Sequence, residues 1–385
     1  MKLHICLLSA QLLANYLPIK LEKPDLVFFV SSAFTEKAGH TRQFEKMLKG
    51  LGINYVKASQ LAPTDDFVQL REYFLNLIDE IEQLNASEIT LNITGGTKLM
   101  AIAANEILKT KDTRVIYTNT QADKIEIIKD DDSHSVQLPS LLTINEYLEA
   151  YGVSPKSYNN QNQEWIDTVN SRKALTKQLV TYFDKDKKFL GTLNYCVQQA
   201  LEKIPNSTQN ILIEPQQKLS KLKATQCELL EKIESYGLID FDKEQSCIYF
   251  KDVKASEYLG GFWLEEYAYF TAIDAGIEEV HCGQAIQWDK TTRNELDIIL
   301  MHNNRLLIME CKTRNYDKNK EKDNDTIYKL DSVAEDLKGL YGAKWLLSMD
   351  SAKEETLKRA KSQGIKFITG NELKNLKDTI LQWRK

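Results

Sequence analysis

Residues 294–312 of this 385-residue chain read NELDIILMHNNRLLIMECK. Two apolar runs of strand length flank Asn303 and Asn304, and asparagine tolerates the positive φ angles that a two-residue hairpin turn requires. The segment therefore predicts an antiparallel hairpin in which His302 pairs with Arg305. Because both runs are apolar at nearly every position, we expect the hairpin to lie in the centre of a sheet that is covered on both faces.

Four charged residues lie at the open end of this hairpin. In the register that the turn sets, Asp297 lies opposite Glu310 and Glu295 opposite Lys312, and all four side chains project from one face. Carboxylates whose Cβ atoms are about 5 Å apart repel each other unless a positive charge lies between them. A divalent cation resolves this repulsion, and Lys312 beside it can stabilise charge on a phosphoryl group. The pattern predicts a catalytic centre; the other interpretation is an exposed ladder of ion pairs.

With a glutamate from the preceding helix, this hairpin resembles the core of the PD-(D/E)xK nucleases. That core has a helical glutamate, here Glu265, then an aspartate, here Asp297, and then an E-x-K strand, here Glu310 and Lys312. Leu296 stands where the family motif has proline, a frequent departure that leaves the metal-binding assignment intact.

The resemblance implies a restriction-endonuclease-like mixed α/β domain over residues 258–385. The sequence pattern of this region itself predicts two strands after the first helix. The resemblance also implies Mn²⁺ or Mg²⁺ as the cofactor. Glu266 can also reach the metal, although the family pattern favours Glu265 and a solvated helix face is the other interpretation of Glu266. The implied metal ligands are Asp297, Glu310 and the backbone carbonyl of Cys311, and the implied catalytic residues are Glu265, Glu295, Asp297, Glu310 and Lys312.

Residues 1–130 alternate apolar strand-like runs with helical stripes, which predicts a mainly parallel, doubly wound, Rossmann-like α/β sheet. The run at 89–93 leads into a glycine pair and then a helix at 99–108. Glycines at a helix N-terminus let backbone N–H groups approach an anion, and the helix dipole favours negative charge there. We therefore expect an anion site at Thr94, Gly95, Gly96, Thr97 and Lys98.

Polar residues also follow the first two predicted strands. Ser9, Ala10 and Gln11 follow the first, and Ser31 and Ser32 follow the second. In open α/β sheets ligands bind at the carboxyl ends of the strands, so these residues are candidates for the same site. The other interpretation is that they cap the helices that come next.

The middle of the chain differs in composition from both ends. The Asn- and Gln-rich segment 154–163 is typical of a linker or loop. Residues 165–255 are Lys-rich and mostly helical, and a helix at 221–238 precedes a hairpin formed by 238–242 and 246–250. A helix followed by a hairpin is winged-helix-like. Such a module binds DNA in some proteins and acts as a dimerisation element or spacer in others.

In domain order the chain resembles the CARF-domain nucleases of type III CRISPR systems. The resemblance implies a CARF sensor over residues 1–150, a homodimer and activation by cyclic tetra-adenylate, with RNA, DNA or both cut in antiviral defence. Two other functions remain open, namely a ligand-responsive transcription regulator and a ligand-independent repair or restriction nuclease. The implied ligand-binding residues are Ser9, Ala10, Gln11, Ser31, Thr94, Gly95, Gly96, Thr97 and Lys98.

Composition limits the remaining possibilities. The net charge of −5 excludes a generally polycationic coat for nucleic acid, but not an enzyme whose basic groups are local. No run of 18 apolar residues occurs, and the six cysteines are scattered without a C-x-x-C motif. We therefore expect a cytoplasmic protein with no membrane contact, zinc site or disulfide framework. The charged segment 313–325 can be a strand-binding flap, but a solvated connection is the favoured interpretation.

Overall fold

The structure is a computed structural model that describes residues 1–110, 112–129, 134–205, 207, 209–288, 292–313, 327, 330–331, 337, 342–349 and 354–384. The expectation for 313–325 lies outside these residues, apart from Thr313. The strands are β1 (Lys2–Leu7), β2 (Leu26–Val30), β3 (Asn54–Lys57), β4 (Glu88–Asn92), β5 (Thr113–Asn119), β6 (Lys124–Ile128), β7 (His134–Gln137), β8 (Ser154–Pro155), β9 (Leu201–Lys203), β10 (Asn210–Leu212), β11 (Gln216–Lys218), β12 (Ile239–Asp242), β13 (Cys247–Phe250), β14 (Glu279–Gln287), β15 (Arg293–His302), β16 (Arg305–Lys312), β17 (Gly342–Ser348) and β18 (Ile365–Thr369).

The α-helices within the described residues are α1 (Leu13–Glu22), α2 (Ala33–Lys37), α3 (His40–Gly50), α4 (Phe67–Glu82), α5 (Lys98–Leu108), α6 (Ile144–Ala150), α7 (Gln163–Ser171), α8 (Lys173–Ala200), α9 (Ala224–Ser235), α10 (Val253–Glu257), α11 (Trp263–Asp274), α12 (Glu354–Ser362), α13 (Asn371–Lys374) and α14 (Leu376–Arg384). A short 3₁₀ turn precedes α7 at Asn159–Gln161, and a π-helical turn precedes α11 at Tyr258–Phe262. None of the described helices is both long and apolar enough to cross a membrane.

The N-terminal domain is a seven-stranded sheet in the order β3-β2-β1-β4-β5-β6-β7. Strands β1 to β5 pair in parallel and β6 and β7 are antiparallel, which confirms the Rossmann-like prediction. Side chains alternate between the faces of β1: Leu3, Ile5 and Leu7 join the core under α4 and α5, and Cys6 joins the core under α1 and α3. The carboxyl ends of β1, β2 and β4 therefore share one edge.

The C-terminal domain is a six-stranded mixed sheet in the order β18-β17-β16-β15-β14-β8. Its central hairpin is the predicted one: Asn303 and Asn304 have φ angles of 47° and 62°, and His302 pairs with Arg305. Both positive φ values match the turn type that continues the twist of the strands. Three strands follow α11 instead of the expected two, because β14 comes before the hairpin.

The middle segment packs as predicted around α9 and its hairpin. Strands β12 and β13 pair antiparallel, and β11 adds a third strand in the order β11-β13-β12. Part of the segment 154–163, expected to be a linker or loop, instead forms β8, which pairs with β14 at the edge of the C-terminal sheet. The domain limits 1–150, 165–255 and 258–385 remain predictions.

Candidate active site and ligand site

The charged end of the β15–β16 hairpin forms a compact cluster. The Lys312 Nζ atom lies 2.6 Å from Oε1 of Glu310 and 3.4 Å from Oδ2 of Asp297. The same Oδ2 atom accepts a hydrogen bond of 2.7 Å from the backbone N–H of Cys311. Burial alone would lower the pKa of Lys312, but the carboxylates of Asp297 and Glu310 raise it above its ordinary value. Lys312 is therefore a fixed ammonium between two carboxylates.

The cross-strand pairs expected in this cluster are not formed. The backbone ladder between β15 and β16 ends at the pair Ile298–Met309, so Asp297 and Glu310 lie one step beyond it. The physical reason is that the carboxylate of Asp297 takes the N–H of Cys311, which leaves that group unavailable for a backbone pair. The predicted pairing of Glu295 with Lys312 lies further still beyond the ladder.

Glu265 completes the cluster from the first turn of α11. Its half-buried carboxyl group has a pKa well above the ordinary value. Burial is the largest cause, and the negative charges of Asp297, Glu295 and Glu310 raise the pKa further. The positive charge of Lys312 lowers it, but not enough to cancel these effects. All four partners are therefore close enough to act on Glu265, although the side chain of Glu295 is exposed. The cluster carries more negative charge than its lysine neutralises.

The structure separates Glu265 from its neighbour Glu266. Glu266 is only 3% exposed, which contradicts the interpretation of a solvated helix face. The guanidinium of Arg172 forms a two-fold ion pair with it, with Nε 3.1 Å from Oε2, and lies 3.9 Å from the centre of the Tyr258 ring. Glu266 thus anchors the start of α8 to α11, and Glu265 is the residue that faces the cluster.

A hydroxyl group that the sequence analysis did not single out ties the two catalytic elements together. Oγ1 of Thr313 donates to the carbonyl of Gly260 and accepts from Nδ2 of Asn194 on α8, both at 3.1 Å. A Cβ atom at Gly261, whose φ is 155°, would lie 2.6 Å from that Oγ1 atom. Glycine is required at this close approach. The contacts hold the residue after Lys312 against the turn that leads to Glu265.

The donor set fits a hard divalent cation. The carboxylate oxygens of Asp297 and Glu310 are the donor type that Mg²⁺ and Mn²⁺ prefer, and the carbonyl of Cys311 is the third predicted ligand. Within the described part of the chain, no three His, Cys, Asp or Glu side chains stand close enough together to hold a metal ion. The predicted ligand set, with two carboxylates and one backbone carbonyl, contains fewer than three such side chains.

At the opposite end of the chain, the glycine pair lies in tight contact with β1. A Cβ atom on Gly95 would lie 1.9 Å from the carbonyl oxygen of Leu7, and Gly96 has a φ of 73°. Thr97 is the N-cap of α5 and accepts a hydrogen bond of 3.2 Å from the N–H of Met100. Lys98 at the first helical position is exposed and has no ion pair or hydrogen bond with any described residue.

Two of the expected ligand-binding hydroxyls are used inside the fold. Oγ1 of Thr94 donates to Oδ1 of Asn92 at 2.5 Å and accepts from the N–H of Thr118 at 2.7 Å. The hydroxyl of Ser31, fully buried, donates to Oε1 of Glu36 at 3.0 Å. Both side chains support the loops at this edge through hydrogen bonds that a ligand would have to replace.

The loop after β1 is more open. Ala10 is exposed, and Ser9 accepts a hydrogen bond of 3.3 Å from the N–H of Gln11. Oε1 of Gln11 accepts from the hydroxyl of Tyr151 at 3.2 Å. Ser32 caps α2, as the second interpretation of these polar residues expected. At this edge of the sheet, the groups still accessible to a ligand are therefore the loop at Ser9–Gln11 and the N-terminus of α5.

Comparison with protein families assigns both ends of the chain. Residues 3–147 match the family model described as the Card1 CARF domain, and residues 252–385 match the Card1-like endonuclease domain. The chain therefore carries a Card1 CARF domain and a Card1-like endonuclease domain. The CARF domain and the nuclease domain predicted from the order of the motifs are thereby confirmed. A search of curated protein sequences gave no match.

Solved structures share the fold of this CARF endonuclease over nearly its whole length. Can2 from Sulfobacillus thermosulfidooxidans, in complex with cyclic tetra-adenylate, is 21% identical with a TM-score of 0.79, and the match covers 99% of this chain and 97% of Can2. Protein VC1899 from Vibrio cholerae is 19% identical with a TM-score of 0.81 and the same coverage. A type III CRISPR defence DNA nuclease activated by cyclic oligoadenylate is 13% identical with a TM-score of 0.55, over 95% of this chain and 48% of the other.

Proposed function

We propose that this endonuclease depends on a divalent metal and is activated by cyclic tetra-adenylate in CRISPR-linked antiviral defence, where it cuts RNA, DNA or both. The observation that carries the proposal is the cluster of Asp297, Glu310 and Lys312 beside Glu265, in one chain with a CARF domain that carries an exposed lysine at a helix N-terminus. The cytoplasm, where its substrates and activator are made, is the proposed location.

In the proposed active site, Asp297, Glu310 and the carbonyl of Cys311 would hold Mn²⁺ or Mg²⁺. A cation bound there would supply Lewis-acid chemistry at the scissile phosphate and at a water molecule. The ammonium of Lys312, held by its two carboxylates, is positioned to stabilise charge that develops on the phosphate. The carboxyl group of Glu265, whose pKa is raised by burial and by the neighbouring carboxylates, and the exposed Glu295 complete the acidic surroundings of this site.

A homodimer is the proposed assembly because apolar side chains are exposed on adjacent helices of the CARF domain. Val68 and Leu75 on α4 are 65% and 51% exposed, and Ile102 on α5 is 56% exposed. Such a patch is typical of a surface that contacts a partner. Because Lys98 begins the same α5 helix, a two-fold axis through this patch would bring two Lys98 side chains towards one cyclic ligand.

The experiment that tests the function is cleavage of labelled single-stranded RNA, single-stranded DNA and duplex DNA with Mn²⁺ or Mg²⁺, with and without cyclic tetra-adenylate. We expect cleavage that requires metal and rises when the activator is added. Equal cleavage without activator would favour the ligand-independent nuclease. Ligand binding with no cleavage of any substrate would favour the transcription regulator that acts through the winged-helix-like region.

The turn of the catalytic hairpin lies against the CARF domain, which offers a direct route for activation. Nη2 of Arg305 lies 2.6 Å from Oδ2 of Asp123, in the turn between β5 and β6. Oδ1 of Asn304 accepts from the backbone N–H groups of Leu141 and Leu142 at 2.8 and 3.1 Å. A movement of the sensor can therefore pass along β15 and β16 to their charged ends, without passing through the middle segment.

Arg305→Met should uncouple the nuclease from its activator. Because the ion pair with Asp123 joins sensor and hairpin, its loss should lower the fold activation by roughly five- to tenfold. Affinity for the activator should remain within about twofold. Arg114→Met is the matched control, since Arg114 pairs with Glu22 inside the CARF domain and does not touch the hairpin. The measurement is the ratio of cleavage rates with and without the activator. An equal ratio for wild type and Arg305→Met would exclude this route.

A further inference from the structure

A cavity of about 260 Å³ adjoins the catalytic cluster and shares Glu265 with it. It lies between the start of α7, α8, the π-helical turn and α11. None of the residues proposed above as metal ligands lines it. The cavity is therefore separate from the proposed metal site, although it adjoins it. The described residues around it include the aromatic residues Trp165 and Phe262 and several charged side chains.

The cavity exposes an aromatic ring three residues before Glu265. Phe262 ends the π-helical turn and is 50% exposed, although Leu259 and Trp263 close to it pack into the core. Trp165 also lines the cavity and is held edge-on against Tyr269, with ring centres 5.3 Å apart. Exposed aromatic rings beside a cleft are the platforms on which proteins stack the bases of single-stranded nucleic acid.

The charges around the cavity favour a neutral ligand over a phosphate. Glu266 is neutralised by Arg172, but Glu164, Glu257 and Glu265 also line the cavity. Lys254 is the one other cation among the described lining residues, and its Nζ atom is 3.9 Å from Glu164 with both side chains largely exposed. A phosphate would face an excess of carboxylates, whereas an uncharged heterocycle would not.

We propose that this cavity receives a nucleobase adjacent to the scissile phosphate and that the base stacks on Phe262. The proposal rests on the nuclease function proposed above and adds a base-binding site to it. With the phosphate at Asp297, Glu310 and Lys312, the cavity beside Glu265 lies where a neighbouring base of an unpaired strand can enter. A base in a duplex would have to leave its stack to do so, so the site favours single-stranded substrate.

The test uses single-stranded oligonucleotides in which one abasic position is moved stepwise along the strand. Wild type should cut poorly, by about tenfold or more, at one fixed distance from the abasic position, because the stacking contact is lost there. Phe262→Ala should raise KM by a similar factor and cut all the oligonucleotides alike. Phe262→Tyr, which keeps the ring, should behave as wild type. Ile273→Ala is the matched control, since Ile273 is 47% exposed on α11 but does not line the cavity.

Fluorescence anisotropy with the same oligonucleotides gives a readout that does not depend on cleavage. Phe262→Ala should lose the preference for intact over abasic strands that wild type shows. An unchanged preference, or an unchanged KM with normal cleavage, would overturn the base site while leaving the nuclease function intact. Ring-dependent binding without any cleavage would leave the base site standing and overturn the nuclease function.

Discussion

Replacing Asp297 or Glu310 with alanine should abolish nucleic-acid cleavage and leave the protein folded. Each variant loses a proposed metal ligand, and the transition-state stabilisation that goes with it corresponds to a rate loss on the order of 10³ or more. Folding should survive because removal of one carboxylate relieves repulsion among the carboxylates, which, after burial, is the second cause of the raised pKa of Glu265. Cleavage assays with Mn²⁺ measure the activity, thermal unfolding measures the folded state, and calorimetric titration of Mn²⁺ measures the metal affinity.

Two further variants make this prediction specific. Lys312→Ala should still bind Mn²⁺ but turn over on the order of 10² times more slowly, since the ammonium acts on the phosphate and not on the metal. Asp240→Ala, which removes an exposed carboxylate paired with Lys251 in the middle segment, should keep full activity. Full activity of Asp297→Ala or Glu310→Ala would refute the assignment of the active site.

The hairpin was predictable because its information is local. The positive φ preference of Asn303 and Asn304 fixes the turn, the turn fixes the register, and the alternation of side chains fixes the face. The same reasoning failed beyond the pair Ile298–Met309, where the predicted cross-strand pairs do not form. There the carboxylate of Asp297 accepts the N–H of Cys311 in place of a backbone partner. Such competition between side chain and backbone depends on three-dimensional approach and leaves no periodic signal.

Contacts between distant parts of the chain could not be predicted from the sequence. Thr313 is bonded to Gly260 and Asn194, and Asn304 to Leu141, over separations for which hydrophobic periodicity carries no information. The same limit applied to the sensor edge. The sequence showed which polar residues follow the strands, but not which of them are already hydrogen-bonded inside the fold. The hydroxyl of Thr94 is bonded in this way, whereas Lys98 has no partner within the described residues.

Replacing Lys98 with alanine should weaken the binding of cyclic tetra-adenylate by more than a hundredfold. A charge-assisted contact to a phosphate is worth roughly 1.5–3 kcal/mol, and a symmetric dimer would make it twice. The backbone N–H groups and the dipole of α5 already favour an anion at this position, and the ammonium of Lys98 adds to that preference. Titration calorimetry on wild type and Lys98→Ala measures the difference.

The thermal stability of the two proteins without ligand distinguishes a binding role from a structural one. A cation at a helix N-terminus opposes the dipole, so Lys98→Ala should unfold at the same temperature as wild type or slightly above it. Lys2→Ala, at the opposite end of the sheet, is the matched control and should bind the activator normally. If Lys98→Ala binds the activator as tightly as wild type does, the phosphates bind at the loop of Ser9 and Gln11 instead.

Ile102→Asp tests whether the affinity also depends on two copies of the site. An unpaired carboxylate buried in the proposed dimer contact should leave a monomer, since burial of such a charge costs several kcal/mol. The monomer offers one Lys98 to the ligand and should bind it as weakly as the dimeric Lys98→Ala variant does. A monomer that keeps the affinity of wild type would show that a single CARF domain holds the activator, and that the two-fold arrangement contributes nothing to its binding.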